Sequence, residues 1–245
     1  MVERSDRAAV AMFFAPDGFS DGASVTLGED AVQHARVLRM GPGEIIALRD
    51  GKGRGALGVL GRTAKRSLTV DVTSVWEIDT LPAVHMLVPV ADRDRMLILA
   101  EKCTELCATS WRPVMWRRSR SVGPAGDGPA FNSRVRARMI AALTQSGGGW
   151  IPDIHPSAPL TRAIAAAPEG ARLLLDAAGQ PPILGASIGE PVVLAIGPEG
   201  GFDQKERDEM VEAGFVPVAL AGATLRFETA GIAALAIIRA KLAAA

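Results

Sequence analysis

An α/β protein in two parts is the fold class this sequence predicts: a small amino-terminal β-barrel carrying one helix, then a larger unit built on a mostly parallel sheet. Two observations carry that reading. Short apolar runs separated by glycine turns fill the chain up to Trp76, and beyond Leu81-Pro82 strands and helices alternate, which implies a sheet covered on both faces. A third observation locates the candidate site, an apolar strand that runs into Gly197-Pro198-Glu199-Gly200-Gly201-Phe202.

In the first part, strands are expected at Met12–Ala15, Ser24–Leu27, Glu44–Arg49, Ala56–Arg62 and Leu68–Trp76, turned by Gly41-Pro42-Gly43 and Asp50-Gly51-Lys52-Gly53. One helix, Asp30–Met40, interrupts them, with Asp30 as its cap. In the second part, strands are expected at Val84–Val90, Pro113–Trp116, Arg172–Asp176, Val192–Ile196 and Val216–Leu220. Helices are expected at Asp94–Cys107, Ser133–Ser146, Pro159–Ala167, Gln204–Ala213 and Thr229–Ala243. Asp203 with Glu206 forms the Asp-x-x-Glu pattern of a capping box, which starts a helix directly after the glycine turn. Ser121–Ala130 reads as a flexible loop and Gly147-Gly148-Gly149 as a second break. The resulting division is a disordered tail over 1–11, a barrel over 12–80 and an α/β domain over 81–245.

Composition excludes several classes. With 245 residues and 48% hydrophobic content the chain can bury one or two cores. The most apolar window, Ala230–Ala245, is short and broken by Arg239 and Lys241, so it reads as a core or interface helix rather than a membrane span. Met1–Val10 carries Glu3, Arg4, Asp6 and Arg7 and reads as a frayed tail rather than a signal peptide. Cys103 and Cys107, four apart on one expected helix face, have no second Cys or His pair beside them, so they read as buried thiols of a reducing cytoplasm and not as a metal site. Net charge is zero but unevenly spread. Residues 31–70 hold eight Lys or Arg against two acids and 112–138 seven against one, while 176–212 hold eight acids against two bases. Basic segments of that kind can present a positive face to a polyanion.

The glycine turn leaves backbone N–H and C=O groups bare at the mouth of the sheet, where a flat ligand can lie against them. Leu225-Arg226-Phe227-Glu228-Thr229-Ala230 then brings an arginine and a carboxylate toward that mouth. Neither nucleotide fingerprint fits. A P-loop needs Gly-Lys-Ser/Thr where this chain has Phe202, Asp203 and Gln204, and no Gly-x-Gly-x-x-Gly stands near the start of the chain.

Taken together, His34-Ala35-Arg36-Val37-Leu38-Arg39, Asp94-Arg95-Met96, Glu101-Lys102-Cys103-Thr104-Glu105-Leu106, Gln145-Ser146-Gly147, Ile196 to Phe202, Leu225-Arg226 and Glu228-Thr229-Ala230 resemble the RsmE family of 16S rRNA methyltransferases, within the SPOUT superfamily. The resemblance runs from about Met12 through nearly the whole chain. It implies a PUA-like RNA-binding barrel, a SPOUT domain threaded into a trefoil knot, S-adenosylmethionine as methyl donor, a cytoplasmic homodimer, and N3 of a uridine in the small ribosomal subunit as acceptor. It also implies that three loops hold the donor: Leu175 and Asp176; Ile196, Gly197, Pro198, Glu199, Gly200 and Gly201; and Leu220, Ala221, Thr224, Leu225 and Arg226. The sequence departs from the family pattern at Phe227, at Ala221-Gly222-Ala223, at Gly148, at Cys107 in place of a glycine, and at Met12.

Methyl transfer to uridine N3 is an in-line displacement that requires alignment of the two partners and loss of the N3 proton. Arg226 is the candidate stabiliser of the pyrimidine anion, and Glu228 the candidate to orient Arg226 or accept the proton. An alternative reading of Glu228 is a helix N-terminal acid facing the dipole. His34, Arg36, Arg39, Lys52 and Arg54 are the candidate phosphate contacts for a flipped or unpaired target. No metal is expected. The alternatives are a ribose 2′-O-methyltransferase of the same superfamily, an RNA-binding paralogue with impaired catalysis, and, weakest, a nucleotide-phosphate enzyme.

Overall fold

The computed structural model describes residues 9–119, 128–180, 182–186, 188–220 and 223–244, and these fall into two compact units. The first takes in the chain up to Thr80 together with Ile140–Ile151, and the second takes in Leu81–Met139 and Pro152–Ala245. Most of the tail expected over 1–11 lies outside the described residues. Its last residue, Ala11, already pairs with Ile46.

In the first unit, β1 (Ala11–Phe14), β2 (Ser24–Leu27), β3 (Ile45–Arg49), β4 (Arg54–Thr63) and β5 (Leu68–Glu77) form a sheet of order β1-β3-β4-β5-β2. β1 and β3 run parallel and the other neighbours antiparallel. Among the described residues no ladder joins β1 to β2, so the expected barrel is an open sheet in its hydrogen bonding. Phe13, Leu48, Leu60 and Leu68 meet in its core, each worth about 1.5–3 kcal/mol of burial. Segment 140–151, which the strand–helix alternation assigned to the second part, packs here through Trp150. Gly53, at φ +93, has no side chain to occupy the space of the Trp150 ring, and Trp150 Nε1 donates to the Ile78 carbonyl at 3.3 Å.

α1 (Glu29–Val37) starts one residue earlier than expected and ends three residues sooner. Asp30 is not its cap: Gly28 holds that position without a side-chain bond, and Glu29 with Asp30 fill the first turn, facing the positive end of the dipole. The chain leaves helical geometry at Arg39, whose φ is 57°.

The second unit is a fully parallel sheet of order β12-β10-β11-β6-β7-β8, made of β6 (Val84–Pro89), β7 (Ser110–Met115), β8 (Asp153–Ile154), β10 (Ala171–Leu175), β11 (Val192–Ile196) and β12 (Val216–Val218), with β9 (Ala158–Pro159) beside β7. Helices α2 (Arg93–Glu105), α3 (Pro129–Ser146), α4 (Leu160–Ala165), α5 (Gln204–Glu212) and α6 (Phe227–Ala243) connect or follow these strands. β11 is buried along its whole length, as a central parallel strand must be. Val193 and Ala195 point to a core shared with Met210 of α5, whereas Ile196 meets Gly231 of α6 on the opposite face. The two-residue β8 and β9 and the 3-10 turn Ile183–Gly185 had no counterpart in the sequence reading. Of the loop expected over 121–130, residues 121–127 lie outside the described residues, and α3 has already begun at Pro129.

α2 starts at Arg93, one residue before the expected helix, capped by Asp92, which accepts the Arg95 N–H at 3.1 Å, and it ends at Glu105. The two thiols therefore do not share a helix face. Cys103 is fully buried, which pushes its thiol pKa up, while Cys107 lies past the helix end at φ 56° and is half-buried. A left-handed backbone favours glycine, the residue whose place Cys107 takes. Cys107→Gly is expected to stabilise the protein by about 1 kcal/mol, read as a higher urea midpoint.

Candidate functional site

β10, β11 and β12 lie side by side, with Leu175 opposite both Ile196 and Val218, so their carboxy-terminal ends are level and three loops leave from one edge. In open parallel sheets ligands bind outside the carboxyl ends of the strands. A cavity of about 380 Å³ occupies that position. Leu175, Asp176 and Ala177 line it from the first loop, Ile196, Gly197, Pro198, Glu199, Gly201 and Phe202 from the second, and Leu220, Ala223, Thr224 and Leu225 from the third. Asp203, Gln204 and Arg207 add the start of α5, and Phe227 and Ala230 the start of α6.

Most of the residues singled out by resemblance thus surround one cavity. Gly200 and Arg226 do not line it, and Ala221 lies outside the described residues. The glycines differ in what they do. A Cβ at Gly197 would lie 2.8 Å from the Phe202 ring, so this glycine admits an aromatic wall rather than a ligand. Phe202 in turn packs edge-on against Trp116, with ring centroids 4.9 Å apart. The Gly200 carbonyl accepts from Arg118 Nη1 at 3.1 Å.

α5 starts where Asp-x-x-Glu predicts. Asp203 accepts the Glu206 N–H at 2.9 Å and Glu206 accepts the Asp203 N–H at 3.0 Å. That backbone donor, together with Arg117 nearby, holds the Asp203 carboxyl below the usual carboxylate range. Glu206 is buried and also accepts the Arg117 N–H at 2.6 Å, which ties the end of β7 to the glycine turn. Arg207 stands one helical turn beyond Asp203 on the same face, its Nε 2.8 Å from Asp176 Oδ2.

The arginine–carboxylate pair expected at 226 and 228 is arranged differently. Arg226 is the N-cap residue of α6, exposed at the rim between two lining residues, and its side chain has no hydrogen bond or ion pair among the described residues. Glu228 is buried and points to Arg95 of α2, with Oε1 4.0 Å from Arg95 Nε. Arg95 also pairs with Glu199 of the glycine turn. One guanidinium therefore links the second loop to the start of α6, and Glu228 does not orient Arg226. Glu228 Oε2 is buried without a hydrogen-bond partner among the described residues.

In the first unit, His34, Arg36 and Arg39 are exposed on or just past α1, and His34 stacks edge-on against Phe13. Lys52 is exposed in the β3–β4 turn. Arg54 pairs with Glu77 at 3.3 Å and lies over the Phe19 ring, so part of its charge is already satisfied. Sequence reasoning missed Arg95 and Arg207 as members of the site. Arg207 was findable from the cap at Asp203 plus one turn. Arg95 was not, because its partners lie more than a hundred residues away. Among the described residues no cluster of three or more His, Cys, Asp or Glu can hold a metal ion, and no helix is long and apolar enough to cross a membrane.

Comparison with known proteins matches two segments of the chain to families. The RNA methyltransferase domain family matches residues 79–239, and the RNA methyltransferase PUA domain matches residues 27–73. Ribosomal RNA small subunit methyltransferase E of Synechocystis is 32% identical over 236 residues, covering 90% of this chain and 74% of the relative. The protein of the same name from Mycobacterium tuberculosis is 29% identical, covering 94% and 91%. Among solved structures, a methyltransferase of Legionella pneumophila in complex with bound SAM superposes with a TM-score of 0.88 at 27% identity, covering 94% of this chain and 97% of that one. Ribosomal RNA small subunit methyltransferase E of Neisseria gonorrhoeae, bound to S-adenosylmethionine, gives 0.86 at 28% identity with the same coverage.

Proposed function

This chain belongs to the RNA methyltransferase family that includes ribosomal RNA small subunit methyltransferase E, and on that premise we propose that it methylates N3 of a uridine in 16S rRNA. It is an S-adenosylmethionine-dependent rRNA methyltransferase. The observation that carries the reading is the cavity walled by three loops at the carboxyl edge of β10, β11 and β12. Its volume suits a cofactor-sized ligand, since such pockets span about 300–1,000 Å³. Its lining also suits a donor of net positive charge, because Asp176, Glu199 and Asp203 outnumber Arg207. Bound there, S-adenosylmethionine supplies an electrophilic methyl group on its sulfonium, and the demethylated thioether is the leaving group.

The chain's own groups do the rest. Backbone groups of Ile196–Gly201 and of Leu220, Ala223, Thr224 and Leu225 would hold the adenosine part. Arg226, uncommitted at the rim, stabilises the negative charge that spreads over O2 and O4 as N3 loses its proton. Glu228 takes that proton through water on Oε2, the oxygen without a partner, while Arg95 holds Oε1. The first unit is the RNA-binding domain, with His34, Arg36, Arg39, Lys52 and Arg54 on phosphates. The proposal includes a trefoil-knotted second unit and a cytoplasmic homodimer. For the dimer, the last helix offers Ile232 and Ile237, half-buried, since Leu235 and Ile238 are consumed by the protein's own core.

The test is methylation of small ribosomal subunits from a strain lacking the activity, followed by nucleoside analysis. 3-Methyluridine is the expected product; a 2′-O-methyl nucleoside, or no product despite donor binding, overturns the reading in favour of the ribose enzyme or the impaired paralogue. Neutralising Arg36 and Arg39 together is expected to weaken RNA binding and to flatten the slope of log K against log salt by about 1.5. A titration series in salt checks it, and an unchanged slope removes both residues from the interface.

A further inference from the structure

Four charged side chains line the cavity among the described residues: the carboxylates of Asp176, Glu199 and Asp203, and the guanidinium of Arg207. Two of the carboxylates are engaged outside it. Glu199 pairs with Arg95, and Asp203 caps α5 and pairs with Arg117 at 3.4 Å. Arg207 pairs with Asp176, through Arg207 Nε and Asp176 Oδ2, and Asp176 Oδ1 also accepts the Ala178 N–H at 2.9 Å. The Nε contact is close but misaligned, since Nε is buried without a hydrogen-bond acceptor. The two Nη nitrogens have no hydrogen bond among the described residues. A planar fork held at its root and free at its tip is suited to bidentate capture of a carboxylate.

S-adenosylmethionine carries two positive groups, the sulfonium and the α-ammonium, and one negative group, the α-carboxylate. The signs are complementary to the cavity: carboxylates predominate, and one cation stands for the donor's one anion. We infer that Arg207, braced by Asp176, reads the α-carboxylate of the donor's amino-acid arm and so selects donors that retain it. This deepens the donor reading above and rests on it. Arg226 does not compete for the role, because its side chain is outside the lining.

The experiment is calorimetric titration of wild type and Arg207→Met with two ligands, S-adenosylhomocysteine and its decarboxylated counterpart S-adenosyl-3-thiopropylamine. Wild type is expected to prefer S-adenosylhomocysteine by about 10- to 100-fold, the range of one charge-assisted hydrogen-bonded contact. Arg207→Met is expected to erase that preference by weakening S-adenosylhomocysteine alone, with the amine within about twofold of wild type. Equal weakening of both ligands makes Arg207 a merely structural residue and overturns the inference, as does a preference that survives the substitution. Should Arg207→Met not fold, Arg207→Gln replaces it, and absence of any preference in wild type is by itself sufficient to overturn the proposal. Wild type that binds neither S-adenosylmethionine nor S-adenosylhomocysteine overturns the donor reading itself, an outcome distinct from the loss of selectivity.

Discussion

Arg226→Ala is expected to lower kcat by about 10²- to 10³-fold, the usual loss when one preorganised donor to a developing oxyanion is removed. The dissociation constant for S-adenosylhomocysteine is expected to stay within about twofold, because the Arg226 side chain is not part of the cavity wall. Structure should survive the change. Arg226 contributes its backbone carbonyl to the first turn of α6, accepting the Ala230 N–H at 2.9 Å, and alanine keeps that carbonyl. Its exposed guanidinium has no partner among the described residues to leave stranded. Single-turnover methylation together with calorimetry separates the two parameters. Unchanged turnover removes Arg226 from the chemistry, whereas a parallel loss of donor binding makes it a binding residue instead.

Arg239→Ala is expected to produce the largest loss of stability, about 3 kcal/mol, seen as a melting temperature lower by roughly 10 °C. Arg239 is well inside α6, where burial pushes its pKa below the usual arginine range, although the group remains charged. Its guanidinium donates to three carbonyls: Leu106 at 2.9 Å, Cys107 and Pro82. Two of these follow the end of α2, where helical carbonyls lack partners of their own, and the third enters β6. Truncation strands all three acceptors. Arg239→Lys should recover only part of the loss, since an ammonium lacks a planar fork that can serve several acceptors at once. A scan within 2 °C of wild type would show that water replaces the guanidinium at little cost.

What the sequence disclosed follows from the range of the interactions involved. The start of α5 was legible because both halves of its capping box sit within four residues, and the structure contains both hydrogen bonds. The parallel sheet was legible from the uninterrupted apolar run Val192–Ile196 and its neighbours. The two-residue β8 and β9 were not, because no periodicity fits in two residues. Cys107 was misread as helical because its spacing from Cys103 matches a helix, while the helix in fact ends before it in a turn that local pattern does not encode. The same limit applies to the site. Glycines and loop residues contiguous along the chain could be gathered from the sequence alone, but the bridge from Arg95 to Glu199 and Glu228 joins three distant segments and emerges only when the fold brings them together.

β12 has three residues and lies at the outer edge of its sheet, held by pairing of Leu173 to Leu175 with Val216 to Val218 and by one bridge from Pro182 to Ala219. One wall of the cavity hangs from this short edge. A small molecule that grips all three loops therefore adds its affinity to the work of peeling the strand away. At a hundredfold excess over the dissociation constant this amounts to about 2.7 kcal/mol. This short seam of the second unit is thus also one whose tightness reports whether the enzyme is charged for a reaction.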